Sequence, residues 1–323
     1  MCTSITYKTK DAYFGRTLDI ECSYGEEVIV TPRNFALDFR HTGAQKSHYA
    51  MIGMGTVRDG YPLYYDAANE HGLGMAGLRF ADNACYFPLT AGKENVTPFE
   101  FIPWVLGQCK SVKEARDLLL HVNLCDTPFS KDLPPAPLHW MLADKDGSIV
   151  VESTKDGLQV YENPVGVLTN NPPFPYHMLH LCDYMGLSNE PPVARLGKDY
   201  LTLYSRGMGA MGLPGDFSSA SRFVRAAFVR QNSVSSFDEM SSVSQFFHIL
   251  GAVEHIRGCV RLADGKYEIT AYTSCINLFR GIYYYTTYEN RAISAVDMRK
   301  CNLAGGVLCR FPLEDEQRIF WHC

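Results

Sequence analysis

The sequence contains no CxxC motif, no block of basic residues, no apolar run of about 18 residues and no linker rich in Ser, Pro or Gly. Each absence removes a class of protein. Without closely spaced cysteine pairs, zinc ribbons, iron–sulfur centres and thioredoxin-type redox sites are excluded. The eleven cysteines are scattered from Cys2 to Cys323, and their odd number points to mostly reduced, buried thiols. Thirty Lys and Arg stand against 35 Asp and Glu, a net charge of -5 with no basic stripe to neutralise a phosphate backbone, so no nucleic-acid partner is expected. The opening MCTSITYKTKDAYFGR lacks the apolar core of an export signal. The expectation is a cytoplasmic protein with no membrane partner.

What is present is the composition of a chain that buries a large core: 323 residues, 46% hydrophobic and 20% charged. Alternating β-rich stretches at 3–7, 12–16, 28–32, 50–57 and 63–66 read as strands. Thr97-Pro98-Phe99-Glu100 reads as a capping box, and Ser111 to Glu114 opens a second helix soon after. Period two returns from 138 to 167, with turns at Asp146-Gly147 and Asp156-Gly157, so a three-stranded meander is expected. Helical patterns then cover 176–184, the stretch after Ser218 and the stretch after a capping box at Ser236-Phe237-Asp238-Glu239. Strands at 267–275, 281–288 and 292–298 follow. Such segregated blocks disfavour alternating βαβ units and favour antiparallel sheets sandwiched by helices in an α+β domain.

Several motifs dissolve when their context is read. Gly72 to Gly77 and Gly207 to Gly212 both match GxGxxG, but neither opens a helix, so they read as turn and packing glycines. His177 and His180 share a helix face without a third ligand and read as a surface pair. No GxSxG elbow and no HExxH occurs. Tyr283 to Tyr285 read as strand residues.

Cys2 is different. Once an initiator Met is removed, a residue at position 2 carries both a thiol, with a pKa near ~8.5, and a free α-amine, near ~7.7 to 8.0, so one residue holds nucleophile and base. Arg16 and Asp19 lie where a hairpin partner returns past Cys2, and both are expected beside the terminal amine. Asp19 would accept from the ammonium or thiol, while Arg16 would lower the thiol pKa.

The chain resembles the choloylglycine hydrolase family, which includes bile salt hydrolases and penicillin V acylases, within the N-terminal-nucleophile hydrolases. The resemblance covers nearly the whole chain and rests on MCT, YFGRTLDIECSYGEE, NEHGLGMAGL, NVTPFEFIPWVLGQC, LHWMLAD, VGVLTNNPPF, GLPGDFSSASRFVRAAF, QFFHILG and YYYTTYEN. It implies a four-layer αββα sandwich formed by a single domain of residues 2–323 after removal of Met1. It also implies amide hydrolysis of glycine- or taurine-conjugated bile acids, with a Cys2 acyl-enzyme and no cofactor or metal. The family's catalytic positions fall on Cys2, Arg16, Asp19, Asn170 and Arg222, although Arg222 on its helix also reads as a salt-bridge partner. At Ala76-Gly77-Leu78-Arg79-Phe80 the chain departs from the family, carrying Arg79 where members have Asn or Tyr. Arg79 would stabilise the oxyanion, recognise an anionic leaving group or obstruct the pocket. The alternatives are therefore a penicillin V or other N-acyl amide acylase, or a member that binds bile acids with little turnover. Leu18, Tyr24, Tyr65 and the loop from Thr127 to Ala136 are expected to line a sterol pocket. By the same resemblance the protein is a homotetramer, with residues 189–215 as the assembly loop.

Overall fold

The structure, a computed structural model, describes residues 1–193 and 200–322. The chain opens with strands β1 (Cys2–Lys8), β2 (Ala12–Ile20) and β3 (Glu27–Thr31), then a small hairpin of β4 (Leu37–Phe39) and β5 (Gly43–Gln45). It continues with β6 (Met51–Arg58), β7 (Tyr61–Asn69), β8 (Gly74–Arg79) and β9 (Glu94–Val96). Helices α1 (Phe101–Leu106) and α2 (Val112–Leu119) precede β10 (Val122–Leu124), which pairs in parallel with β9. The meander β11 (Leu138–Ala143), β12 (Ser148–Thr154) and β13 (Gly157–Glu162) is followed by β14 (Val167–Leu168). Helices α3 (Phe174–Leu181), α4 (Ser219–Asn232) and α5 (Glu239–Gly251) come next. Strands β15 (Ile269–Asn277), β16 (Ile282–Thr287), β17 (Ser294–Asp297) and β18 (Cys309–Pro312) close the fold.

Two antiparallel sheets result. Six strands run in the order β14-β1-β2-β15-β16-β17 and eight in the order β13-β12-β11-β8-β7-β6-β3-β18. Side-chain alternation assigns the two faces of the larger sheet. Val28, Val30, Met141, Ala143 and Val150 point into the core shared with the smaller sheet. Their neighbours Ile29, Trp140, Leu142, Ile149 and Val151 pack with Phe101, Trp104 and Val105 of α1. Because α4 and α5 cover the smaller sheet through Phe223, Phe246 and Ile249, the layers are helix, sheet, sheet, helix, the expected αββα sandwich.

Within the sandwich a buried carboxylate joins the sheets. Asp66 on β7 accepts from Tyr272 Oη (2.5 Å), Tyr283 Oη (2.8 Å) and Ser274 Oγ (3.0 Å) of the facing sheet. Burial raises the Asp66 pKa, and the field of Arg16 with these hydroxyls pulls it back. Tyr283 is thus a donor as well as a core residue. At Gly15, β2 and β15 pass so closely that a Cβ would lie 2.1 Å from the Ser274 carbonyl oxygen, which only glycine avoids.

Local expectations held at α2 and failed at the other two caps and the meander. Ser111 caps α2 by accepting from the Glu114 N–H, as expected. At α1 the Thr97 hydroxyl has no hydrogen-bond partner among the described residues and the helix begins at Phe101, so only the Glu100 half of the box forms, toward the Thr97 N–H. Asp238, not Ser236, caps α5, because its carboxylate reaches the Ser241 N–H at 2.9 Å. The meander ends at Glu162, since β14 leaves to pair with β1. Of the ten described cysteines only Cys2, Cys109, Cys125 and Cys275 are buried, so mostly buried thiols is corrected: composition counts cysteines but does not place them.

Candidate active site

Strand register sets the geometry around Cys2. In the β1–β2 ladder Cys2 faces Leu18 and Ser4 faces Arg16, so Cys2, Leu18 and Arg16 share one face of the sheet. Asp19, at an odd spacing from Arg16, lies on the other face. The two residues therefore flank the chain terminus from opposite sides instead of standing together beside it. Arg16 is fully buried and points at the larger sheet, donating through Nη1 to the carbonyls of Gly77 (2.5 Å) and Tyr65 (3.3 Å) and through Nε to Thr17 (3.1 Å). Among the described residues its Nη2 has no hydrogen-bond partner. Burial works against its charge, but Cys2, Tyr272, Asp66 and Asp19 leave its pKa raised overall.

Asp19 looks toward the helical layer. The β2–β15 register sets Thr270 directly across from Asp19, so its hydroxyl donates to Asp19 Oδ1 (2.7 Å), and Thr17 donates to Oδ2 (3.2 Å). His255 Nε2 stands 3.9 Å from Oδ2. Burial lowers the His255 pKa to about 4, so near neutrality it leaves the Asp19 charge uncancelled. With Met1 in place, its ammonium pairs with buried Glu268 and donates to the Asp19 carbonyl (2.6 Å). Burial lowers the pKa of that ammonium.

Cys2 is held at both backbone ends. Its N–H donates to Asn170 Oδ1 (2.8 Å), and its carbonyl accepts from Arg222 Nη1 (2.6 Å). Arg222 Nη2 closes the ring on Asn170 Oδ1 (2.7 Å), while Nη1 also reaches Thr3 Oγ1 (2.7 Å). The salt-bridge reading of Arg222 is corrected, because this fully buried guanidinium bonds carbonyl, amide and hydroxyl oxygens and, among the described residues, no carboxylate. Asn170 Nδ2 gives one hydrogen to the Arg79 carbonyl (2.7 Å), which leaves its second for a ligand.

Arg79 contributes a backbone oxygen to this cluster while its side chain is exposed. Its charge is felt at Tyr24, whose pKa burial raises and Arg79 opposes. Of the expected pocket residues, Leu18 is buried across from Cys2. Tyr65 packs on the same core and bonds Thr56 Oγ1 (2.7 Å), and Tyr24 is 49% exposed. Ala136 accepts from Tyr86 Oη (2.7 Å), near the end of β8, where Phe80 N–H donates to Pro137. Thr127 instead bonds His41 Nε2 (2.8 Å), and no described hydrogen bond ties it to the Cys2 cluster. A cavity of about 890 Å³ lies elsewhere, between α2 and β13, lined by Leu119, Leu120 and Leu158.

Several neighbours escaped the sequence reading: Thr3, His139, Glu152, Glu268 and His255. His177 is no surface residue. It is fully buried with Nε2 2.8 Å from the Asn170 carbonyl oxygen, because its helix turns that face onto the segment after β14. Among the described residues no group of His, Cys, Asp or Glu could hold a metal ion, and no helix is long and apolar enough to cross a membrane.

Known proteins resemble this chain over nearly its whole length. The sequence profile of the linear amide C–N hydrolases, choloylglycine hydrolase family, matches residues 2–316. A bile salt hydrolase/transferase of Lactiplantibacillus plantarum is 51% identical over 321 residues, 99% of each chain. The crystal structure of a mutant conjugated bile acid hydrolase from Clostridium perfringens superposes with a TM-score of 0.93 at 41% identity, covering 99% of each chain. A penicillin V acylase from Agrobacterium tumefaciens shares the fold, with a TM-score of 0.77 at 20% identity over 96% of this chain and 91% of its own.

Proposed function

Because the chain belongs to the choloylglycine hydrolase family, we propose that it hydrolyses the amide joining a steroid acyl group to glycine or taurine, through an acyl-enzyme on Cys2. The observation that carries this reading is the closed ring of Cys2, Asn170 and Arg222, which fixes the backbone of a buried thiol beside a free amide hydrogen.

Removal of Met1 frees the α-amine of Cys2. That amine takes the thiol proton, and the thiolate attacks the scissile carbonyl carbon. Negative charge develops on the carbonyl oxygen, where the second Asn170 Nδ2 hydrogen meets it. Arg222 holds Oδ1 of the same amide, so the donor end cannot turn away. Collapse breaks the C–N bond as the α-ammonium returns its proton to the leaving nitrogen, releasing glycine or taurine. Water, deprotonated by the same amine, then splits the thioester and frees the bile acid. The burial that depresses the terminal ammonium of Met1 acts on the Cys2 amine too, so the acid limb of kcat/KM is expected below the ordinary ~7.7 to 8.0 of an α-amine. Arg16 adds positive charge on the thiol's side of the sheet, and Asp19 holds the amine from the other. Side-by-side turnover of glycocholate, taurocholate and penicillin V tests the assignment; preference for penicillin V would overturn it.

Arg79 extends this reading to specificity. Its carbonyl touches the oxyanion donor and its exposed side chain carries a charge felt at Tyr24, which suits the carboxylate or sulfonate of the leaving amino acid. Arg79→Asn is expected to raise KM for conjugated bile salts about 2- to 5-fold, the scale of a solvent-screened ion pair. Arg79 is not among the strongest influences on the terminal ammonium, so the acid limb of the pH profile should move little. Steady-state kinetics across pH checks both outcomes.

The same proposal places the enzyme in the cytoplasm as a homotetramer joined through residues 189–215, of which 194–199 lie outside the described residues. Tyr200, Leu201, Leu203, Tyr204 and Met211 in this stretch are exposed apolar side chains that a second copy would cover. Light scattering should return four times the chain mass at micromolar concentration, and a monomer mass would contradict it.

A further inference from the structure

Two buried histidines from different layers meet consecutive carbonyls of the segment that carries Asn170. His139 on β11 has Nε2 2.9 Å from the Thr169 carbonyl oxygen, and His177 on α3 has Nε2 2.8 Å from that of Asn170. Both side chains are fully buried. A ring nitrogen facing a carbonyl must carry hydrogen, so both rings are Nε2–H donors.

What lies behind each ring keeps it in place. His139 Nδ1 faces Glu152 Oε1 at 3.0 Å, and that oxygen also accepts the Phe174 N–H (3.0 Å) at the start of α3. The His139 ring stacks on Phe80, with centroids 4.3 Å apart. His177 stacks on Phe223 at 4.9 Å, and among the described residues its Nδ1 has no hydrogen-bond partner, so the bond from Nε2 to the Asn170 carbonyl is the one the ring makes. From the third side, Ser219 Oγ accepts the Asn170 N–H at 2.8 Å.

The peptide groups on both sides of the Asn170 Cα are therefore anchored, at the Thr169 carbonyl, the Asn170 N–H and the Asn170 carbonyl. We infer that His139 and His177 are positioning residues that fix the Asn170 backbone, and so aim its free Nδ2 hydrogen, without themselves touching the substrate. This inference rests on the proposed role of Asn170 as oxyanion donor. Catalytic geometry is steep enough for a clamp to matter, since a misplacement of about 1 Å can cost on the order of 100-fold in rate. A histidine that merely satisfied a buried carbonyl would affect stability and every property of the site alike.

His177→Phe keeps a ring on Phe223 but removes the donor, and His177→Gln retains one. Three rates on processed enzyme separate the roles: glycocholate turnover, acylation by a p-nitrophenyl ester, and alkylation of Cys2 by iodoacetamide, which develops no oxyanion. For His177→Phe, kcat and ester acylation are expected to fall about 10- to 100-fold. KM and the alkylation rate should stay within about two-fold, and His177→Gln should recover most of the loss. His139→Phe should lose acylation in the same way and His139→Gln recover most of it, with the alkylation rate reporting an intact site. The inference is overturned if acylation by His177→Phe is unchanged, if acylation and alkylation fall together, or if Gln gives no recovery. Should wild-type enzyme leave glycocholate untouched while ester acylation and alkylation still separate in this way, the substrate assignment fails and the clamp stands.

Discussion

Cys2→Ser protein is expected to fold with an unchanged melting temperature and to lose at least about 1000-fold in glycocholate turnover, because a serine hydroxyl is far harder to ionise than a thiol. Stability should survive, since the Cys2 backbone, not its sulfur, makes the bonds to Asn170 and Arg222. Thiol labelling alone is a poor check, as Cys22, Cys182 and Cys259 are exposed and will also react. The informative measurement is kinetic, with iodoacetamide inactivation of the wild type mapped to its peptide. Full activity in Cys2→Ser, or inactivation that maps to another cysteine, would remove Cys2 from the role.

Asn170→Ala should fail differently. Loss of a preorganised oxyanion donor costs about 100- to 1000-fold in kcat with KM little changed. Here the substitution also leaves Arg222 Nη2 and the Cys2 N–H without their buried acceptor, each worth about 1 to 3 kcal/mol when unmet, so the melting temperature should drop as well. Calorimetry beside steady-state kinetics reads both effects. A variant of normal kcat would mean that the oxyanion is held elsewhere.

The framework of the sandwich was legible because both sheets follow period two closely: the alternation of Val28, Ile29 and Val30 already divides one strand between two layers. Cap positions were less so, since Ser236 and Asp238 are both good N-caps and only the position of Ser241 decides between them. Cys2 stood out by its place in the chain. Asn170 and Arg222 carry no local signal, because their pairing joins positions far apart in sequence, and only the family resemblance named them. The faces of Arg16 and Asp19 depend on the extended run of β2 and the register of Cys2 against Leu18, which spacing alone does not supply. His139 and His177 were missed or misplaced for the same reason: a histidine in an apolar stretch looks alike whether it satisfies a carbonyl or faces water.

The central claim is that the α-amine of Cys2 is the base, and the state of the chain terminus tests it most directly. Protein prepared with methionine aminopeptidase inhibited, and shown by intact mass to retain Met1, is compared with protein shown to begin at Cys2. In the first, the Cys2 nitrogen is an amide that donates to Asn170 and has no basic lone pair, while the ammonium of Met1 is held by Glu268. The account predicts that the retained form does not hydrolyse glycocholate and that removing Met1 switches it on. Equal rates in the two forms would contradict it.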